Sequence, residues 1–141
     1  MSATADHAET SLAVRLGFQP DQVVQEIGYD DDVDHDLRES IEETTSTELV
    51  DEDYDDVADV VLLWFRDDDG DLTDALVDAI GLLEEEGHIL LLTPKTGRDG
   101  YVEPSDIQDA AQTAGLSQTK SVSVGKDWNG SRLLTPKAGK R

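Results

Sequence analysis

Two stretches of this chain are almost wholly apolar: Val57 to Phe65, broken only by Asp59, and Ile89 to Leu92. Short runs rich in Val and Leu predict strands covered on both faces, the kind that a parallel sheet keeps at its centre. Between them Leu72, Ala75, Leu76, Ala79, Ile80 and Leu83 recur at helical spacing. Asp71 suits the N-cap of that helix and Gly87 its C′ position. The second strand then runs from His88 to Thr93 and stops at Pro94.

Downstream, a Gly-containing loop from Thr96 to Val102 leads into another helix. Ser105 and Gln108 have the spacing of a capping box, Ile107, Ala110, Ala111 and Ala114 form the apolar stripe, and Gly115 ends it. Lys120 to Val124 alternates polar and apolar residues, and Asp127 to Gly130 reads as a hairpin turn into a last strand, Ser131 to Thr135. Upstream the pattern weakens. Pro20 suits the first turn of a short helix carrying Val23, Val24 and Ile27 and closing near Gly28. Val33, Leu37 and Ile41 predict a helix from Asp32 to Thr44, and Glu48 to Val50 a short edge strand before an acidic loop, Asp51 to Asp56. Residues 1–11 are a polar, acidic tail, and residues 12–141 have the length of a single α/β domain.

Strand, helix, strand, helix, strand, hairpin, strand is a doubly wound order with right-handed crossovers. From Val57 to Pro136 it resembles the C-terminal half of a class I S-adenosylmethionine methyltransferase, whose parallel sheet finishes in an antiparallel hairpin. The implied fold is a small Rossmann-like, mostly parallel sheet flanked by helices. A second resemblance rests on Gln22-Val23-Val24-Gln25-Glu26, Leu62-Leu63-Trp64, Asp67-Asp68-Asp69-Gly70-Asp71-Leu72, Leu92-Thr93-Pro94-Lys95, Val102-Glu103-Pro104-Ser105-Asp106-Ile107, Thr113 to Thr119 and Lys126-Asp127-Trp128. On these the chain is similar to a small family of actinobacterial and haloarchaeal proteins known only as a domain of unknown function, which implies no activity.

Charge changes the picture. Up to Leu92 the chain has 28 acidic residues and three basic ones; from Thr93 on it has five acidic and eight basic, for a net charge of −22. So many carboxylates repel one another in dilute buffer, but the Debye length falls to about 3 Å at 1 M salt. The composition points to a halophile's cytoplasmic protein. With no Cys there is no disulfide or thiolate chemistry, and His7, His35 and His88 lack metal-ligand spacing. No apolar run reaches the roughly 20 residues of a membrane span, and Met1 to Thr10 lacks a signal-peptide pattern.

The sign reversal marks a working surface in the last third of the chain. Lys95, Arg98, Lys126, Trp128 and Arg132 are the candidate ligand residues, cations around an aromatic that could stack a base or adenine ring or else cover the sheet end. Asp67 and Asp69, where a strand gives way to a helix, are weaker candidates for Mg²⁺. Leu91 to Gly97 is echoed by Leu133 to Gly139, but antiparallel strands would put Lys95 and Lys137 at opposite edges. No Gly-rich cofactor turn precedes Val57, no G-x-S-x-G occurs and Ser105 is a capping residue, so no cofactor is implied. The reading is a non-enzymatic binding or regulatory module for a small anionic ligand or an acidic protein partner; membrane and nucleic-acid binding are not expected. Its rivals are a degenerate methyltransferase-like or Mg-assisted enzyme and a docking subunit.

The charge density generates a prediction. Melting followed by circular dichroism from about 0.1 M to 3 M KCl, weak to near-complete screening, is expected to show a steadily rising Tm. A flat series would overturn the halophilic assignment.

Overall fold

The computed structural model describes residues 12–135. In chain order the elements are α1 (Leu12–Arg15), β1 (Val24–Ile27), α2 (His35–Thr45), β2 (Ala58–Trp64), α3 (Leu72–Ile80), β3 (Leu83–Pro94), α4 (Pro104–Ala114), β4 (Ser117–Val124) and β5 (Trp128–Leu134). One five-stranded sheet is ordered β1-β2-β3-β5-β4. The first three strands are parallel, and β5 is antiparallel to both β3 and β4. The mostly parallel Rossmann-like sheet with a terminal antiparallel hairpin is therefore present.

Side chains alternate across a strand, so β2 and β3 feed two cores at once. Val60, Leu62, Trp64, Leu90 and Leu92 face α1 and α2, meeting Leu16, Phe18, Leu37 and Ile41. Val61, Leu63, Ile89 and Leu91 face α3 and α4, meeting Leu76, Ala79, Ile107 and Ala111. Double coverage explains why both strands read as unbroken apolar runs. Caps fix where the helices start: Asp34 accepts a hydrogen bond from Leu37 N at 2.9 Å, and Asp71 from Asp74 N at 3.1 Å.

Several expectations are corrected. The segment 20–28 is not a helix: Val24–Ile27 is a strand paired with β2 from Val60 to Leu63. Its polar residues disguised it, because Gln25 and Glu26 are buried with partners. Gln25 donates to the carbonyls of Asp51 and Tyr54, and Glu26 accepts from Arg38 and Trp64. Glu48–Val50 supplies one isolated bridge, Val50 to Gln25, on the outer side of β1. α3 ends at Ile80, and Leu83 and Gly87 belong to β3, where a Cβ on Gly87 would press on the Asp59 carbonyl. α4 takes Glu103 as N-cap with Pro104 in its first turn, which puts Ser105 inside the helix.

The hairpin turn also lies elsewhere. Val124 pairs with Trp128, so Gly125 to Asp127 make the turn and Trp128 is the first residue of β5. Its indole is 2 % exposed, meets Trp64 edge to face at 4.9 Å between centroids, and donates from Nε1 to the Asp32 carbonyl at 2.9 Å. The ring covers the sheet end and offers no face for stacking a ligand. Trp128→Ala is expected to lower unfolding free energy by about 3–5 kcal/mol, the usual cost of truncating a core Trp, measured by urea denaturation. A loss under about 1 kcal/mol, within the range of surface substitutions, would contradict this role.

Candidate functional site

In an open α/β sheet, ligands gather at the carboxyl ends of the parallel strands. Here β1 gives way to Gly28 and β2, through Phe65, to Arg66, and between them lies a cleft of about 340 Å³ whose rim includes Tyr29, Asp30, Glu52 and Asp69. Gly28, at φ +83°, lies so close to β2 that a Cβ would run into the Trp64 carbonyl oxygen. Its N–H donates to the Glu52 carboxylate at 2.9 Å. The glycine permits close packing of chain on chain.

Arg66 lines this cleft. Its Nη1 donates to the Gly28 carbonyl at 2.8 Å, and Nε and Nη2 form a two-pronged pair with the Asp32 carboxylate. Asp69 accepts from the Arg66 backbone N–H at 2.9 Å, and the guanidinium lies 5.3 Å from the Trp128 ring centre. Burial works against its charge, but hydrogen bonding to Asp32 and Asp69 wins and raises its pKa. The hydrogen bond from Arg66 in turn lowers the pKa of Asp32, against the opposing effect of partial burial. Behind this layer Glu26, 6 % exposed, takes Arg38 Nε at 2.7 Å and Trp64 Nε1 at 2.9 Å. Hydrogen bonding to Glu26 raises the pKa of Arg38, whose guanidinium also lies over Tyr29.

The metal candidates separate. Asp69 turns back onto Arg66, whereas Asp67 lines a different cleft between α3 and α4. Among the described residues, three or more potential ligands do not cluster anywhere in a way that could hold a metal ion. The residues also fit S-adenosylmethionine poorly. After β1 the chain runs through one glycine into Asp30, Asp31 and Asp32, with no Gly-rich turn to bring backbone against a phosphate, and the Arg66 guanidinium lines the crevice, held by the Gly28 carbonyl and Asp32.

Of the five expected ligand residues, three come together at the hairpin turn. Lys95 Nζ donates to Ser123 Oγ and to the Gly125 carbonyl at 2.9 Å, Arg98 pairs with Asp127 at 2.7 Å, and Lys126 is exposed in the turn itself. Trp128 is buried beneath them. Arg132 lies four residues further along β5, opposite Leu90 and Lys120, and belongs to another region. The single composite site is thereby corrected, because antiparallel pairing carries Arg132 away from the turn. Pro136 to Arg141, including Lys137, Lys140 and Arg141, lie outside the described residues, as does the tail 1–11.

Arg132 has a setting of its own. Its guanidinium lies against Gly17, just past α1, where an added Cβ would be 3.2 Å from Nη2. The buried Nε has no hydrogen-bond partner, and no carboxylate among the described residues pairs with the group. Next to it His88, 5 % exposed and tilted against Phe18, has an equally unpartnered Nε2. Burial, reinforced by the charge of Arg132, lowers the His88 pKa to about 4. Sequence reasoning missed Glu26, Asp32, Arg66 and His88. The available signal was an arginine isolated in an acidic stretch: Arg38 and Arg66 are two of only three bases before Thr93.

With this geometry in place, the class of fold is clear. The sheet is that of methyltransferase-like Rossmann proteins. Mycolic acid cyclopropane synthase CmaA1 matches at a TM-score of 0.64 with 12% identity, covering 96% of this chain and 90% of that one. The pyocyanin biosynthetic protein PhzM matches at 0.62 and 12%, covering 93% and 55%. A methyltransferase from Aquifex aeolicus matches at 0.51 and 12%, covering 87% of each. The likeness thus extends upstream of the C-terminal half. At such identities it concerns the fold alone. More particularly, the chain belongs to the family described as protein of unknown function DUF3052, matched over residues 13–137. Uncharacterized proteins of Mycobacterium tuberculosis and Mycobacterium bovis are 57% identical to it over 139 residues, 97% of this chain and 87% of theirs.

His88 generates a pH prediction. Its pKa is lower folded than unfolded, so the unfolded chain takes up the proton first. The stabilisation is complete above about pH 6.5 and is lost as pH falls toward 4. A shift of this size corresponds to about 3 kcal/mol. His88→Leu is expected to remove that part of the difference in urea unfolding free energy between pH 7 and 4.5. An unchanged pH dependence would show that His88 is not held neutral in the fold.

Proposed function

We propose that this protein is a non-catalytic binding or regulatory module that recognises an anionic group, either a small anion or an acidic side chain of a partner, with Arg132 as its principal contact. One observation carries the reading. In a chain with 33 acidic residues, Arg38, Arg66 and Arg98 each hold a carboxylate, while the half-buried Arg132 guanidinium holds none among the described residues. Partly burying a cation without a partner costs free energy, which an incoming carboxylate or phosphate recovers through charge-assisted hydrogen bonds. The non-catalytic half of the reading is supported by the single glycine after β1, where a cofactor-binding turn uses several. Lys95, Arg98 and Lys126 form a secondary cationic rim. On this reading the protein works in the cytoplasm of a salt-adapted cell.

Thermal denaturation in molar KCl, with phosphate and S-adenosylmethionine as separate additives, tests this. Phosphate at a hundred times its Kd should stabilise the fold by about 2.7 kcal/mol. Arg132→Met should abolish that response without lowering the Tm measured in its absence, because the guanidinium makes no bond that the folded state needs. S-adenosylmethionine is expected to leave the Tm unchanged; a rise would replace this reading with the enzymatic one. Equal phosphate responses in the wild type and Arg132→Met would remove Arg132 from the site.

A further inference from the structure

The sheet ends in a strand that is paired on one side only. β4 is the outermost strand beyond β5, and residues 117–121 are exposed. Its register with β5 is regular from Lys120 to Val124, with one irregularity between Gln118 and Lys120. An edge of this kind presents backbone N–H and C=O groups that another chain can use. Beside it runs a groove of about 520 Å³, floored by Ala111 and Leu116 and flanked by Gln108 and Gln112 of α4 and Thr119 and Ser121 of β4.

No carboxylate lines this groove. The absence is selective, because α4 does carry acids: Asp106 and Asp109 face the opposite cleft, toward α3. From Leu116 to Lys126 the chain has two lysines and no acidic residue. Lys120 Nζ donates to the Arg15 carbonyl at 3.0 Å, a neutral acceptor that leaves its charge uncompensated. An acidic molecule has thus kept one edge free of negative charge, next to unpaired backbone.

We infer that the β4 edge docks an extended acidic segment of a partner protein, added as a sixth strand, with alternate side chains entering the α4–β4 groove. Main-chain pairing supplies the affinity and the carboxylate-free groove selects the charge. A second copy of this chain fits less well, since pairing along β4 would bring together two molecules of charge −22. The overall repulsion does not bar a short acidic segment, because screening at about 0.15 M salt limits electrostatics to roughly 8 Å. The inference rests on the reading above that the ligand is anionic, and it adds a second contact region on the α4 side of β4, away from the Arg132 guanidinium beside Gly17.

The probe is an acetylated, fluorescein-labelled peptide of about ten residues, a typical upper strand length, alternating Glu and Thr. Anisotropy is measured in the lowest KCl that keeps the protein folded. Strand addition uses every second peptide amide. N-methylation of one alternate set should therefore weaken binding at least tenfold, while methylation of the other set leaves it within about twofold, one lost hydrogen bond being worth about 1 kcal/mol. Gln108→Glu with Gln112→Glu, both on the exposed side of α4, should weaken the peptide severalfold and leave the phosphate response unchanged. Equal binding by both methylated peptides would overturn edge addition. If the peptide fails to bind while phosphate still acts through Arg132, this inference fails and the anion-binding reading stands; if both fail, both fall. A dimer seen by light scattering, with β4 amides protected from hydrogen exchange without peptide, would assign the edge to a second copy.

Discussion

One guanidinium organises the end of this sheet. Arg66 ties the exit of β1 through the Gly28 carbonyl, the loop before α2 through Asp32, the turn before α3 through Asp69, and the start of β5 through the Trp128 ring. A cation can be held this far from water only where carboxylates and carbonyls replace its hydration, so its four neighbours must occupy fixed positions. Their positions in turn require Gly28 to have no side chain and Trp128 to lie inward. Arg66 is thus a structural joint that also lines the cleft between β1 and β2.

The same electrostatic logic runs through the molecule. A surplus of acid makes every cation a scarce resource, and most are committed. Arg38 neutralises the buried Glu26, Arg98 meets Asp127, and Lys95 and Lys120 close carbonyls. Against that background Arg132 and the carboxylate-free groove beside β4 stand apart, and both lie in the region where the sequence reverses sign. Likeness to methyltransferases describes how the strands are ordered and says nothing about chemistry.

Much of the fold was legible from pattern. Long apolar runs could only be β2 and β3, the helical stripe from Leu72 could only be α3, and alternation marked the hairpin. β1 was not legible. Gln25 and Glu26 sit at its centre, and a polar residue can be buried there only because the Asp51 and Tyr54 carbonyls, Arg38 and Trp64 await it from distant parts of the chain. Local sequence carries no trace of those partners. The grouping of the candidate residues was not legible: a last strand begun three residues too late put Trp128 in solvent, and sequence proximity grouped Arg132 with the turn.

The sequence alone determined the α/β class, the dominance of two central strands and the polarity of the two halves, because hydrophobic period and charge density are local quantities that any fold of this chain must satisfy. Tertiary structure decided which cations are spent and which are free, which tryptophan is a wall, and which strand is left at the edge. Those outcomes depend on pairing between residues far apart in the chain. Asp32 and Arg66, or His88 and Arg132, acquire their properties only when the sheet brings them into contact.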